Sequence, residues 1–127
     1  MTWRALAFVV AAVVFCLVTG RADATPGPRA ASIQTWGKVP CRGDVKVVSR
    51  HLGGLQVGEA RWLEDPVTHM RFQCRVYLDR RKATSRRQVC QTLVHEYGHL
   101  LGHEHSKRPR SVMFWKATPR NVPRACR

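Results

Sequence analysis

Polar and apolar positions alternate most cleanly over Arg71-Phe72-Gln73-Cys74-Arg75-Val76-Tyr77-Leu78. A period of two predicts a strand with Phe72, Cys74, Val76 and Leu78 on one face, closed by Arg80-Arg81-Lys82. Two shorter apolar runs precede it, Val45–Val48 and Ala60–Leu63. Gly53-Gly54 and Gly58 separate them as turn signals, and Asp65-Pro66 stops the second. Beyond Lys82 the spacing changes. Apolar residues recur at Val89/Cys90, Leu93/Val94, Tyr97 and Leu100/Leu101, which is the period of a helix. Ser85 is a suitable N-cap, with Gln88 three residues on as in a capping box, and Gly102 falls where the helix would break. The remainder is rich in Pro and Arg and predicts no strong regular element.

The first 24 residues follow a different pattern. Arg4 precedes an uncharged, almost wholly apolar stretch from Ala5 to Val18, and Ala22-Asp23-Ala24 follows. A positive start, a short apolar core and a small-x-small site predict a secretory signal peptide over 1–24, with no transmembrane segment left after cleavage. Residues 25–40, rich in Pro, Gly, Ala and Thr, read as a flexible lead-in. Residues 41–127 then form the domain, expected to be secreted and monomeric.

Composition sharpens this picture. A chain of 127 residues with 44% apolar content fits one globular domain and excludes intrinsic disorder, solenoid repeats and collagen-like chains. Lys and Arg number 22 against 8 Asp and Glu. Loss of Arg4, Arg21 and Asp23 with the leader leaves 20 against 7, a net charge of +13. Cys16 also leaves, and Cys41, Cys74, Cys90 and Cys126 remain. An even number in a small exported domain implies two disulfides, with three pairings open. The favoured pairing is a local Cys74–Cys90 loop with Cys41–Cys126 joining the ends, each stabilising by roughly 3–5 kcal/mol.

The candidate chemistry sits on the predicted helix. His95 and His99 are one turn apart and share a face, so both rings can address one ion. Glu96 lies beside the first of them. Gly102 allows a sharp return, and His105 can supply a third ligand. The full match is H-E-x-x-H-x-x-G-x-x-H, whose chance occurrence in this length is on the order of 10⁻⁵. Further on, Ser106 follows the third His, and Ser111-Val112-Met113-Phe114 lies a short distance beyond.

On these residues the chain resembles the metzincin zinc endopeptidases, and the short interval from His105 to Met113 resembles their matrixin branch, the matrix metalloproteases. The resemblance implies an α+β fold of minimal zincin type: a small twisted sheet packed on the active-site helix, followed by a Met-turn. It implies one catalytic zinc on His95, His99 and His105, a Zn-activated water with Glu96 as general base, and hydrolysis of peptide bonds in a protein or peptide substrate. It implies Met113 as an apolar floor, Gly58–Leu63 as the edge strand that pairs with substrate, and a pocket wall from the stretch after Met113. Departures accompany it. The long helix between the early strands and the acidic loops for structural calcium and a second zinc have no counterpart, so neither ion is expected. Pro40-Cys41-Arg42-Gly43-Asp44 is similar to the cysteine latch of matrixin pro-segments, but the even cysteine count favours a disulfide for Cys41. The net charge supports a second reading: a non-catalytic, cationic secreted zinc-binding protein that attaches electrostatically to anionic polymers or surfaces. Arg80-Arg81-Lys82, Arg86-Arg87 and Lys107-Arg108 are its candidate clusters, and no nucleic-acid motif accompanies them. His51, His69 and Glu104 read as surface residues, His103 as an exposed or packed side chain rather than a ligand, and Trp36, Trp62 and Trp115 as core or cleft wall.

Overall fold

The computed structural model describes residues 25–127. The predicted signal peptide, 1–24, lies outside the described residues. Helix α1 spans Pro28–Trp36, strands β1, β2 and β3 span Val45–Ser49, Gly58–Glu64 and Arg71–Leu78, and helix α2 spans Arg86–Leu100. Short 3₁₀ turns cover Pro40–Gly43, Pro119–Asn121 and Arg124–Cys126. The fold class is α+β, compatible with a matrixin-like domain.

The sheet has the order β1-β3-β2, with β1 parallel and β2 antiparallel to the central β3. Cys74, Val76 and Leu78 point inward and are almost fully buried. Phe72 does not join them and is 45% exposed. The register against β2 shifts between Arg61 and Leu63, and Gln73 adopts a left-handed φ of 50°. One extra residue in β3 at this bulge moves Phe72 off the inner face, which strict alternation could not foresee.

Ser85 caps α2 as expected. Its side chain accepts from the Gln88 amide, and the Gln88 side chain accepts from the Ser85 amide. The helix lies between two apolar layers. Val89, Leu93, Tyr97 and Leu100 face the sheet and pack with Val45, Cys74, Val76 and Leu78. Cys90 and Val94 occupy the opposite row and pack with Ala31, Val122 and Cys126.

The structure departs from two sequence-based expectations. Residues 25–40, expected as a flexible lead-in, contain helix α1. Pro28 starts α1 at a position that tolerates proline, and Ala31 and Ser32 are fully buried against the back of α2. The disulfides are Cys41–Cys74 and Cys90–Cys126, not Cys74–Cys90 and Cys41–Cys126. Cys74 faces inward from the sheet, whereas Cys90 lies on the row of α2 turned away from it. A whole helix therefore separates the two thiols that sequence proximity had favoured.

Candidate metal centre and cleft

The site begins with the geometry of α2. His95 and His99 stand one turn apart at its C-terminal half. The helix ends at Leu100, and Gly102 takes a φ of 95°, a conformation that side chains resist. The chain then doubles back, with the His103 amide donating to the Gly98 carbonyl at 2.9 Å. This return places His105 beside the two helical rings. The three Nε2 atoms form a near-equilateral triangle with sides of 3.1, 3.2 and 3.2 Å. Nitrogens each roughly 2.0–2.1 Å from one ion in tetrahedral arrangement span such a triangle. The donor set therefore fits zinc and can hold a metal ion.

The ring orientations are fixed from behind. His95 Nδ1 lies 2.8 Å from the Val112 carbonyl, and His99 Nδ1 lies 2.8 Å from the His103 carbonyl. A carbonyl only accepts, so each Nδ1 carries the proton and each Nε2 presents a lone pair inward. The His95 imidazole is lowered to about 4, chiefly by burial, with the bond to the Val112 carbonyl opposing and the neighbouring His99 and His105 adding to the fall. Burial likewise lowers His99. Both rings are thus neutral at pH 7, as ligands must be.

Glu96 is turned from this triangle toward β2 and is 6% exposed. Burial raises its carboxyl to about 8, with the Ala60 amide opposing and the Glu59 charge adding to the rise. Its proximity to β2 depends on Gly58. A Cβ there would lie 2.5 Å from Thr92 Cγ2 and 2.7 Å from Glu96 Oε1. Beneath the helix, Met113 is buried and its Sδ lies against Gly98, where a Cβ would also meet Trp36 Cζ2 at 2.7 Å. The Ser106 amide donates to the Met113 carbonyl, and the Phe114 amide to the Ser111 carbonyl, so residues 111–114 form a tight turn.

A cleft of about 760 Å³ opens over these groups. Gly58, Glu59 and Ala60 of the edge strand line one side, and Phe114–Ala117 line another, with His95, Glu96, His99 and His105 at the floor. The family model for matrixin matches residues 50–124. The chain belongs to the matrixin family. No curated protein and no solved structure gave a match. Membership of the matrixins implies a zinc metallopeptidase type of function and peptide substrates. The matched span includes β2, β3, α2 and the 111–114 turn, so every group named at the cleft floor lies inside it.

Other sequence-identified residues fall away from the floor. Cys41 is in a disulfide, so it has no free thiol for a latch. The His103 ring stacks on Trp36 at 4.6 Å, and Trp36 Nε1 donates to the Val94 carbonyl. Trp62 and Trp115 line the cleft. His51 lies 3.0 Å from Asp79, and His69 lies 3.1 Å from Glu64. Among the described residues, no helix is long and apolar enough to cross a membrane.

Three supporting residues escaped the sequence reading. Arg71 Nη1 donates to the His99 carbonyl, its guanidinium lies 4.3 Å over the Trp62 ring, and its Nε is 3.6 Å from Glu64. It thereby ties β3 to the carbonyl end of α2 where the second histidine sits. Asn121 is 3% exposed and accepts from Gln91 and Thr118 while donating to the Ser111 and Lys116 carbonyls. It fastens the 111–118 wall to α2. Lys82 donates to the carbonyls of Leu52, Gly54 and Gln56, and so closes the loop whose residues Leu55, Gln56 and Val57 form the rim of the cleft. Each was hidden because an Arg at a strand start, an Asn in an irregular tail and a Lys in a basic run carry no periodic signal.

Proposed function

We propose that this protein is a secreted zinc endopeptidase of minimal size. His95, His99 and His105 hold a single zinc ion, and Glu96 is the general base. The observation that carries this reading is the closed triangle of Nε2 atoms beside a buried carboxyl, facing an open edge strand across one cleft. Zinc, once bound, supplies the Lewis acidity that polarises a scissile carbonyl and acidifies water.

The protein's own groups do the rest. Glu96 accepts a proton from the attacking water at a carboxylate oxygen and returns it to the departing amine nitrogen. The charge of bound zinc would favour the ionised carboxylate that takes the proton, against the burial that raises it. A purely structural zinc site has no use for a buried carboxyl at this place, which favours an enzyme over the non-catalytic binding protein. The substrate backbone adds antiparallel or parallel to Gly58–Leu63 as a further strand, since that edge of β2 is unpaired among the described residues. Phe114–Ala117 then form the wall that meets the substrate side chain, and the turn at Met113 is the apolar floor, the Met-turn of the family. Residues 1–24 direct export and are removed, and α1 with residues 41–127 forms the working monomer. The test is hydrolysis of a quenched-fluorescent peptide library by oxidised 25–127. Activity lost on chelation and restored by about one equivalent of zinc is the expected result. A zinc-loaded, folded chain that cleaves no peptide overturns the reading.

A further inference from the structure

The face of the sheet turned away from α2 carries a second feature. Lys46 on β1, Arg75 on β3 and Arg61 on β2 occupy one row across all three strands. Lys46 is the register partner of Arg75, and so is Arg61. All three are exposed. Like charges placed directly opposite on neighbouring strands repel and destabilise the pairing. The sheet nonetheless sets three cations side by side. Among the described residues, Lys46 and Arg75 have no carboxylate partner, and Arg61 pairs with Glu59. A fourth cation, Arg50, lies 5.2 Å over the Tyr77 ring, and Arg61 lies 5.5 Å over the same ring. Hydrogen bonding to Arg75 pulls the Tyr77 phenol below its ordinary range despite its partial burial, and the charges of Arg75, Arg61 and Arg50 add to this.

We propose that this outer sheet face, centred on Lys46, Arg61 and Arg75 with Arg50 beside them, binds a linear sulfated polysaccharide. The row spans the two inter-strand spacings of the sheet, roughly 9–10 Å, and offers repeated cationic groups to a chain of repeated anions. Guanidinium groups are suited to sulfate oxygens because their paired N–H donors match two acceptors at once. A nucleic acid fits less well. Stacked single-stranded bases need an open aromatic platform, and the aromatic beside the row, Tyr77, already has two guanidiniums over its ring. An anionic bilayer also fits less well, because the row presents charges on a flat strand surface with no amphipathic helix to enter the interface. The site is on the opposite side of the sheet from α2, and the inference stands apart from the peptidase reading.

Heparin is the probe, with affinity measured against salt concentration on the whole 25–127 protein. The expected parent behaviour is binding that weakens steeply with salt. The double variant Lys46→Gln/Arg75→Gln should lose at least about tenfold in affinity, and its salt slope should fall by roughly one to two. The same variant should melt about 1–4 °C higher, because it removes the in-register repulsion. This opposite movement of binding and stability separates a ligand site from a structural one. The control Arg120→Gln/Arg124→Gln removes equal charge at the C-terminal turns and should lose less than about threefold. Equal losses in both variants would show diffuse charge and overturn the proposal, as would absence of heparin binding by the parent. Tighter binding of a DNA duplex or of phosphatidylserine vesicles through Lys46 and Arg75 would overturn the assignment to a sulfated chain.

Discussion

Gly58→Ala tests how the edge strand and the Glu96 carboxyl are held together. The new Cβ would stand 2.5 Å from Thr92 Cγ2, 2.7 Å from Glu96 Oε1 and 3.0 Å from Glu96 Cγ. Carbon atoms in contact prefer about 3.5–4.0 Å, so at Thr92 the shortfall is about 1 Å or more. Thr92 is β-branched and fixed on α2, so it yields little. Glu96 is unbranched and can swing away. The strand therefore shifts slightly, and the carboxyl shifts more. Overpacking of this kind costs about 1–3 kcal/mol, which lowers the melting temperature of a domain this size by roughly 4–20 °C. A displacement near 1 Å in a catalytic group costs about 10²-fold in rate. Thermal melts, zinc content and peptide hydrolysis on the same preparation measure both effects. Activity should fall far more than the folded population at 25 °C, with zinc retained. A melting temperature within a degree of the parent and a kcat/KM within about twofold would refute the packing argument.

Arg71→Met removes the donor to the His99 carbonyl and should weaken zinc binding about 10–100-fold in a competition assay with a chromophoric chelator; Arg71→Lys, lacking the planar fork, should recover little of it. An unchanged affinity would show that the Arg71 bond to the His99 carbonyl does not support metal binding. Asn121→Ala strands the buried Gln91 amide and frees the 111–118 wall, so stability in urea should drop by about 2–3 kcal/mol. Peptide selectivity should broaden in the same variant. Replacing Cys90 and Cys126 together by Ala opens a link across 36 residues and should cost about 4 kcal/mol by loop entropy. A non-reducing peptide map that recovers Cys74 joined to Cys90 would contradict the fold at its centre.

The parts of the molecule with a period were legible before the structure. The capping box at Ser85 and Gln88 set the start of α2, and Gly102 marked the turn that returns His105 toward His95 and His99. The alternation over Arg71–Leu78 gave the bounds of β3, but the bulge at Gln73 broke the pattern and exposed Phe72. Helix α1 was not legible, because its apolar content is thin and its stability comes from packing Ala31 and Trp36 onto α2. The disulfide pairing failed for a related reason. Val89 and Cys90 are neighbours in sequence but face opposite layers, and period alone did not say which of them meets the sheet. The support given by Arg71, Asn121 and Lys82 depends on contacts to carbonyls far along the chain, and single side-chain identities do not encode those.

The central claim is that Glu96 moves the proton while the three histidines hold the metal. The direct measurement compares oxidised 25–127 with its Glu96→Ala variant at equal zinc content, using one quenched-fluorescent peptide mixture. Glu96 is not among the three converging histidines, so the variant should bind zinc as the parent does and lose hydrolysis by about 10²-fold or more. Equal hydrolysis by both, or hydrolysis by neither with zinc in place, would contradict the account.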